Sequence, residues 1–165
     1  MKGYLSLGSN LGDREKHLMD AIERLKTEGM TVTRISRIYS TPAAEVEDIQ
    51  PPYLNIVITI ETGLNPDEIL ARCQKTEKAL GRERPYPKAP RTIDIDLLMI
   101  DKIEMATEDL TLPHPRLEKR SFVIYPLCDV APDLLLPSGR SVSDALRHCG
   151  DREIEIYQPQ KGGVG

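Results

Sequence analysis

Two carboxylates set two residues apart in an apolar run make the strongest chemical signal in this chain. The run is Pro90-Arg91-Thr92-Ile93-Asp94-Ile95-Asp96-Leu97-Leu98-Met99-Ile100, and it reads as a β-strand. Side chains alternate faces along a strand, so Asp94 and Asp96 project to one side with their Cα atoms about 6–7 Å apart. Leu98 and Ile100 are expected to continue that face, and Ile93, Ile95, Leu97 and Met99 to line the other. A strand apolar on both faces is expected to be covered and central in its sheet. Two carboxylates there repel each other and lose hydration unless positive charge lies between them. A hard divalent cation suits two oxygen ligands, Mg²⁺ before Ca²⁺. The alternative is a strand end whose acids are simply solvated. Arg91 either neutralises one acid or holds a phosphate that the metal also holds.

The surrounding sequence supplies Arg82, Arg84, Lys88, Arg91, His114, Arg116, Lys119 and Arg120. Arginines beside a dicarboxylate suit a polyphosphate, since metals take some oxygens and planar guanidiniums take others in pairs. Read singly, each is an ordinary surface cation. Gly8-Ser9-Asn10-Leu11-Gly12 lacks the Lys-Ser/Thr ending of a P-loop and makes a poor dinucleotide fingerprint, but its glycines let a ligand approach a strand end closely. Pro113-His114-Pro115 holds a rigid histidine suited to a phosphate donor or general acid, or to an ordinary turn. Phe122, the only phenylalanine, and Tyr53 suit a sandwich around a flat heterocycle, with core packing as the alternative. Asn55 carries donor and acceptor together, which suits a planar ring edge.

The elements that must position these residues follow from periodicity. Tyr4 to Leu7 reads as a strand, Leu18, Ile22 and Leu25 as the stripe of a helix stopped by Gly29, and Thr31 to Tyr39 as a strand. In Tyr53 to Glu61, Leu54, Ile56, Ile58 and Ile60 share one face and Asn55, Val57 and Thr59 the other. Asn65-Pro66-Asp67-Glu68 starts a second helix with stripe Ile69, Leu70, Cys73 and Leu80, ended by Gly81. The acidic strand comes next, then a helix near Ser141 to Cys149 and a possible one after Arg120. The order β-α-β-β-α-β predicts an α+β, ferredoxin-like split βαβ fold. It has an antiparallel sheet, both helices on one face and a C-terminal helical elaboration. Residues 1–160 are expected to form one domain and 161–165 a flexible tail. The connections Ser40 to Pro52 and Arg82 to Pro90, rich in proline and charge, are expected to act as lids.

Composition narrows the function classes. The 165 residues suffice for one domain with a sizeable core, and a net charge of −4 argues against nucleic-acid or membrane binding. There is no apolar run of membrane-spanning length, and Met1-Lys2-Gly3-Tyr4 leads straight into a strand pattern without a signal-peptide core. Cys73, Cys128 and Cys149 are odd in number and far apart, and Cys73 and Cys149 fall on apolar helix faces as reduced core residues. The expected compartment is the cytoplasm.

Together the segments closely resemble the 6-hydroxymethyl-7,8-dihydropterin pyrophosphokinase family of folate biosynthesis. The matching pieces are Leu7 to Gly12, Tyr39-Ser40-Thr41-Pro42, Tyr53-Leu54-Asn55, Gly81-Arg82-Glu83-Arg84, Pro90 to Leu98, Leu112-Pro113-His114-Pro115 and Arg120-Ser121-Phe122. They occur in the family's order over about residues 2 to 140. The resemblance implies transfer of pyrophosphate from ATP to the pterin hydroxymethyl oxygen, giving AMP. It implies that Asp94 and Asp96 hold a pair of Mg²⁺ ions, that Gln74, Glu77, Arg84, Arg91, Leu97, His114 and Arg120 contact ATP, and that Arg82 and Arg91 steady the transferring group. Thr41, Tyr53, Asn55 and Phe122 match the pterin pocket, and a monomer is implied. One departure stands out. Pro87-Lys88-Ala89-Pro90-Arg91 replaces a basic-aromatic-Gly-Pro-Arg pattern and is one residue shorter, so the lid's stacking aromatic is missing unless Tyr86 substitutes for it.

Two rival readings belong to other classes. A ferredoxin-like RNA-binding module needs exposed aromatics and a basic sheet face, against which stand seven aromatics (six Tyr, one Phe), the acidic balance and the strand aspartates. A nucleotide sensor without chemistry differs only in its products.

Overall fold

The structure is a computed structural model that describes residues 1–42, 52–81, 92–149 and 154–158. The elements in order are β1 (Lys2–Ser9), α1 (Arg14–Lys26), β2 (Thr31–Ile35), β3 (Tyr39–Thr41), β4 (Tyr53–Glu61), α2 (Pro66–Ala79) and β5 (Asp94–Ile100). A small hairpin β6 (Met105–Ala106) and β7 (Thr111–Leu112), α3 (Ser121–Val130), α4 (Val142–Arg147) and β8 (Glu155–Ile156) follow. The main sheet runs β5-β1-β4-β3-β8, with β2 also on β4, and every pairing is antiparallel. This is the α+β, ferredoxin-like arrangement that the element order predicts.

The helices begin where their caps dictate. Asp13 accepts from Lys16 N at 3.2 Å to start α1. Asn65 and Glu68 form a reciprocal capping box at α2, with Pro66 in the first turn. Leu18, Ala21, Ile22 and Leu25 of α1, with Ile69 and Cys73 of α2, pack onto Leu5, Leu7, Leu54, Ile56, Ile58, Ile60, Ile95 and Leu97. On the opposite face Val123, Ile124, Leu127 and Val130 of α3, with Val142 and Ala145 of α4, cover Tyr4, Val57, Leu98 and Met99. Each fully buried Leu or Ile contributes about 1.5–3 kcal/mol, so both layers hold the sheet firmly.

Three expectations need correction. The strand expected over 31–39 is broken between β2 and β3. Ser36 Oγ takes the Val57 N–H at 2.9 Å while Ser36 N donates to Val57 O, so a side chain replaces a backbone acceptor and the chain turns outward. The acidic strand is covered on both faces but lies at the sheet's edge, not its centre. Its alternation also slips. Leu5 pairs with Leu97 but Tyr4 with Met99, so Leu98 is an extra residue, a bulge. Met99 therefore joins Leu98 under α3, and Ile100 turns to the α1/α2 side. The bulge lies beyond Asp96, so the two aspartates keep their shared face.

Candidate active site

The site grows from the α3-covered face at the end where the strand residues stop being apolar. Gly8 pairs with Asp94 on one side and with Asn55 on the other, and Asn55 pairs with Tyr39. One step further in, Ser6 pairs with Asp96 and with Val57. The floor is thus a row Asp94-Gly8-Asn55-Tyr39 beside a row Asp96-Ser6-Val57. A Cβ on Gly8 would stand 3.0 Å from Asn55 Oδ1 and 3.6 Å from the Tyr53 ring. The glycine therefore keeps the floor open between the acid and the amide.

Asn55 is buried, and its Nδ2 donates to Thr41 Oγ1 at 3.0 Å, which turns its Oδ1 toward Gly8. Across the floor, Arg120 at the start of α3 stands 3.6 Å from Asp96 Oδ2, and its guanidinium carbon is 5.4 Å from the Phe122 ring centre. Asp96 and Arg120 keep 37% and 27% side-chain exposure, so a charged ligand can reach both. His114 lies in the loop after β7, its N–H donating to Leu98 O at 2.8 Å. Burial holds the imidazole below its ordinary value, reinforced by Arg120 and Arg116 and opposed by Asp94. The ring is neutral at pH 7. Its Nδ1 accepts Arg116 N–H at 3.1 Å, which leaves the proton on Nε2 as a donor.

Other expected site residues fall elsewhere. Gln74 is exposed on α2, and the Leu97 side chain is buried in the α1/α2 core, so Leu97 can touch a ligand only through its backbone. Glu77, 5% exposed, accepts Ile95 N–H at 2.9 Å. Arg82, Arg84, Lys88 and Arg91 lie outside the described residues, as do the lid segments 43–51 and 82–91 and the tail 161–165.

The donor set fits a hard cation. It consists of two carboxylates on one strand face, next to a serine and a glycine that leave space, with an arginine and a neutral histidine donor for anionic oxygens. No cluster of three or more His, Cys, Asp or Glu exists among the described residues. Among the described residues, the buried hydroxyls of Ser9 and Thr92, at the same strand ends, also lack hydrogen-bond partners.

Sequence reasoning missed the clamp that holds α3 in place. Arg37 grips Asp129 through Nε at 3.1 Å and Nη2 at 2.9 Å, and Tyr39 hydroxyl adds a bond of 2.9 Å. Burial, with Asp129, pushes the Tyr39 hydroxyl up to about 12. These partners are about 90 residues apart in sequence, and only paired-charge chemistry without a known register links them.

Comparison with known proteins fits this geometry. A family model described as 7,8-dihydro-6-hydroxymethylpterin-pyrophosphokinase matches residues 4–132. The 2-amino-4-hydroxy-6-hydroxymethyldihydropteridine pyrophosphokinase of Bacillus subtilis is 43% identical over 77% of this chain and 76% of its own length. That of Aquifex aeolicus is 41% identical over 81% and 82%. The folic acid synthesis protein fol1 of Pneumocystis carinii is 38% identical over 94% of this chain, which spans only 21% of that protein. Among solved structures, a Plasmodium falciparum HPPK-DHPS with pterin and p-hydroxybenzoate superposes with a TM-score of 0.66. It is 11% identical and covers 88% of this chain and 42% of that one, a likeness of fold. With most of its length matched, the chain belongs to the 7,8-dihydro-6-hydroxymethylpterin-pyrophosphokinase family.

Proposed function

We propose that this chain transfers pyrophosphate from ATP to the hydroxymethyl group of 6-hydroxymethyl-7,8-dihydropterin, releasing AMP, in folate biosynthesis. The carrying observation is the open floor with two carboxylates on one side of Gly8 and a Thr41-oriented amide on the other. The pterin ring lies over Asn55 and Thr41 between Tyr53 and Phe122, its donor groups meeting Asn55 Oδ1. The triphosphate lies toward Asp94, Asp96, His114 and Arg120, and the nucleoside follows the edge of β5 past Gln74, Glu77 and the Leu97 backbone. Arg82, Arg84 and Arg91 complete the set around the transferring group.

Asp94 and Asp96 hold a pair of Mg²⁺ ions, which neutralise the triphosphate when bound. The hydroxymethyl oxygen attacks the β-phosphorus in line, the bond from that phosphorus to the α-phosphate oxygen breaks, and the hydroxyl proton passes to water. Such a transfer needs positioning and charge stabilisation more than a strong base, and no base is assigned. Arg120 and the Nε2–H of His114 donate to phosphate oxygens throughout. Residues 1–160 act as one domain, and the protein works as a cytoplasmic monomer without nucleic acid or membrane. No helix among the described residues is long and apolar enough to cross a membrane.

The test is product analysis with MgATP and the hydroxymethyl pterin. AMP and the pterin diphosphate are expected, and both should vanish when divalent metal is chelated. ADP alone, or no turnover, rejects the reading. Light scattering checks the monomer.

A further inference from the structure

The proposed pterin pocket has two halves on different elements, the wall Phe122 on α3 and the floor pair Asn55 and Thr41. The apolar layer under α3 fixes its distance from the sheet, but apolar contact is non-directional and sets the tilt of the helix only weakly. Directional bonds gather instead at the far end of α3. Arg34 Nη1 donates to the Val130 carbonyl at 3.1 Å. Asp129 accepts the Arg37 backbone N–H at 3.0 Å, besides the Arg37 side chain and the Tyr39 hydroxyl. Arg37 Nη2 also donates to the Tyr39 hydroxyl at 3.0 Å, which closes the three groups on one another. The Tyr39 ring is buried and stands edge-on to Tyr125 of α3, with ring centres 5.9 Å apart. The backbone of the same Tyr39 pairs with Asn55, and Thr41 follows two residues on in β3. One residue thus belongs to the floor and also holds the helix that carries the wall. Phe122 lies about two turns before Asp129, about 10 Å along the axis, so a tilt of about 6° at the clamp moves Phe122 about 1 Å.

We infer that Asp129, with Arg37 and Tyr39 bonded to it, is a positioning unit for pterin recognition that holds the Phe122 wall in register with the Asn55 and Thr41 floor. The inference rests on the pterin reading of that pocket, and the experiment separates the two. Affinity for 6-hydroxymethyl-7,8-dihydropterin is measured by calorimetry with Mg²⁺ and a non-hydrolysable ATP analogue saturating, alongside thermal unfolding. Asp129→Ala should weaken pterin binding roughly 5- to 30-fold. Val142→Ala, in the same apolar layer but away from the clamp, should lower the unfolding temperature and leave pterin affinity within about twofold of the unaltered protein. In a Phe122→Ala background, where the wall is gone, adding Asp129→Ala should cost less than about twofold more. Unchanged pterin affinity in Asp129→Ala overturns the inference. So does equal weakening in Val142→Ala, which would make any loosening of the layer sufficient. Losses that multiply in full in the double variant overturn it too, because Asp129 would then act without Phe122. If Asp129→Ala does not fold, Arg37→Met takes its place in each comparison, with the same outcomes deciding. Failure of the unaltered protein to bind the pterin overturns the inference together with the pocket reading.

Discussion

The two faces of the sheet are built from the same strands and share almost nothing in chemistry. On the α1/α2 face β1, β4 and β5 offer an unbroken aliphatic surface from Leu5 to Leu97. On the α3 face the same strands are apolar only under the helix, at Tyr4, Val57, Leu98 and Met99, and turn polar at Gly8, Asn55, Asp94 and Asp96. The apolar layers on both faces carry the stability that lets the open end of the α3 face hold partly exposed carboxylates and a side-chain-free gap. A mutation should therefore damage folding or chemistry according to whether it strikes an apolar layer or that polar end.

The largest separation is expected at Asp96. Asp96→Ala should lower turnover at saturating Mg²⁺ on the order of 10³-fold while thermal unfolding stays near that of the unaltered protein. Near-normal rates would dissolve the distinction between the faces. Ile58→Ala, one layer below, should do the reverse. A loss of about 2–5 kcal/mol in denaturant unfolding is expected, with turnover per folded molecule intact. Phe122→Ala should raise the pterin KM by roughly 5- to 150-fold, the worth of one stacking wall at about 1–3 kcal/mol, with little change for ATP. An unchanged pterin KM would assign Phe122 to the core.

The smallest effects concern a carboxylate anchored at each face. Hydrogen bonds from Arg72 and Lys75 hold Glu28 below its ordinary 4.5. At Asp129 burial pushes upward, but Arg37 and Tyr39 outweigh it and leave the group below 3.8. Folded values below unfolded ones mean stability that is complete above the ordinary value and is lost as pH falls through the depressed one. Glu28→Gln should flatten the fall in stability below about pH 4.5, and Asp129→Asn the fall below about 3.8. Unfolding curves across pH 2–6 check both, and acid limbs unchanged in either variant would remove its ion pair from the balance.

The α1/α2 face was legible because its signal is local. Alternation in Leu54 to Ile60 and the stripe of Leu18, Ile22 and Leu25 place each residue without knowledge of its partner. The shared face of Asp94 and Asp96 was legible for the same reason. The bulge at Leu98 was not, because only the register against Tyr4 and Leu5 reveals it. The edge position of β5 was hidden because residues apolar on both sides report cover from helices above and below, not strands left and right. Neither the break at Ser36 nor the clamp on Asp129 had a sequence signature, since each depends on a partner distant in the chain.

The central claim is that Asp94 and Asp96 hold the metal ions of the nucleotide on the α3 face. The most direct test adds Mn²⁺ with a non-hydrolysable ATP analogue to labelled protein and follows paramagnetic broadening of backbone amides. Strong broadening is expected at Ser6, Gly8, Asp94, Asp96 and Arg120, with Ile22 and Leu25 of α1 left sharp. Broadening that spares the two aspartates and their row partners would contradict the account.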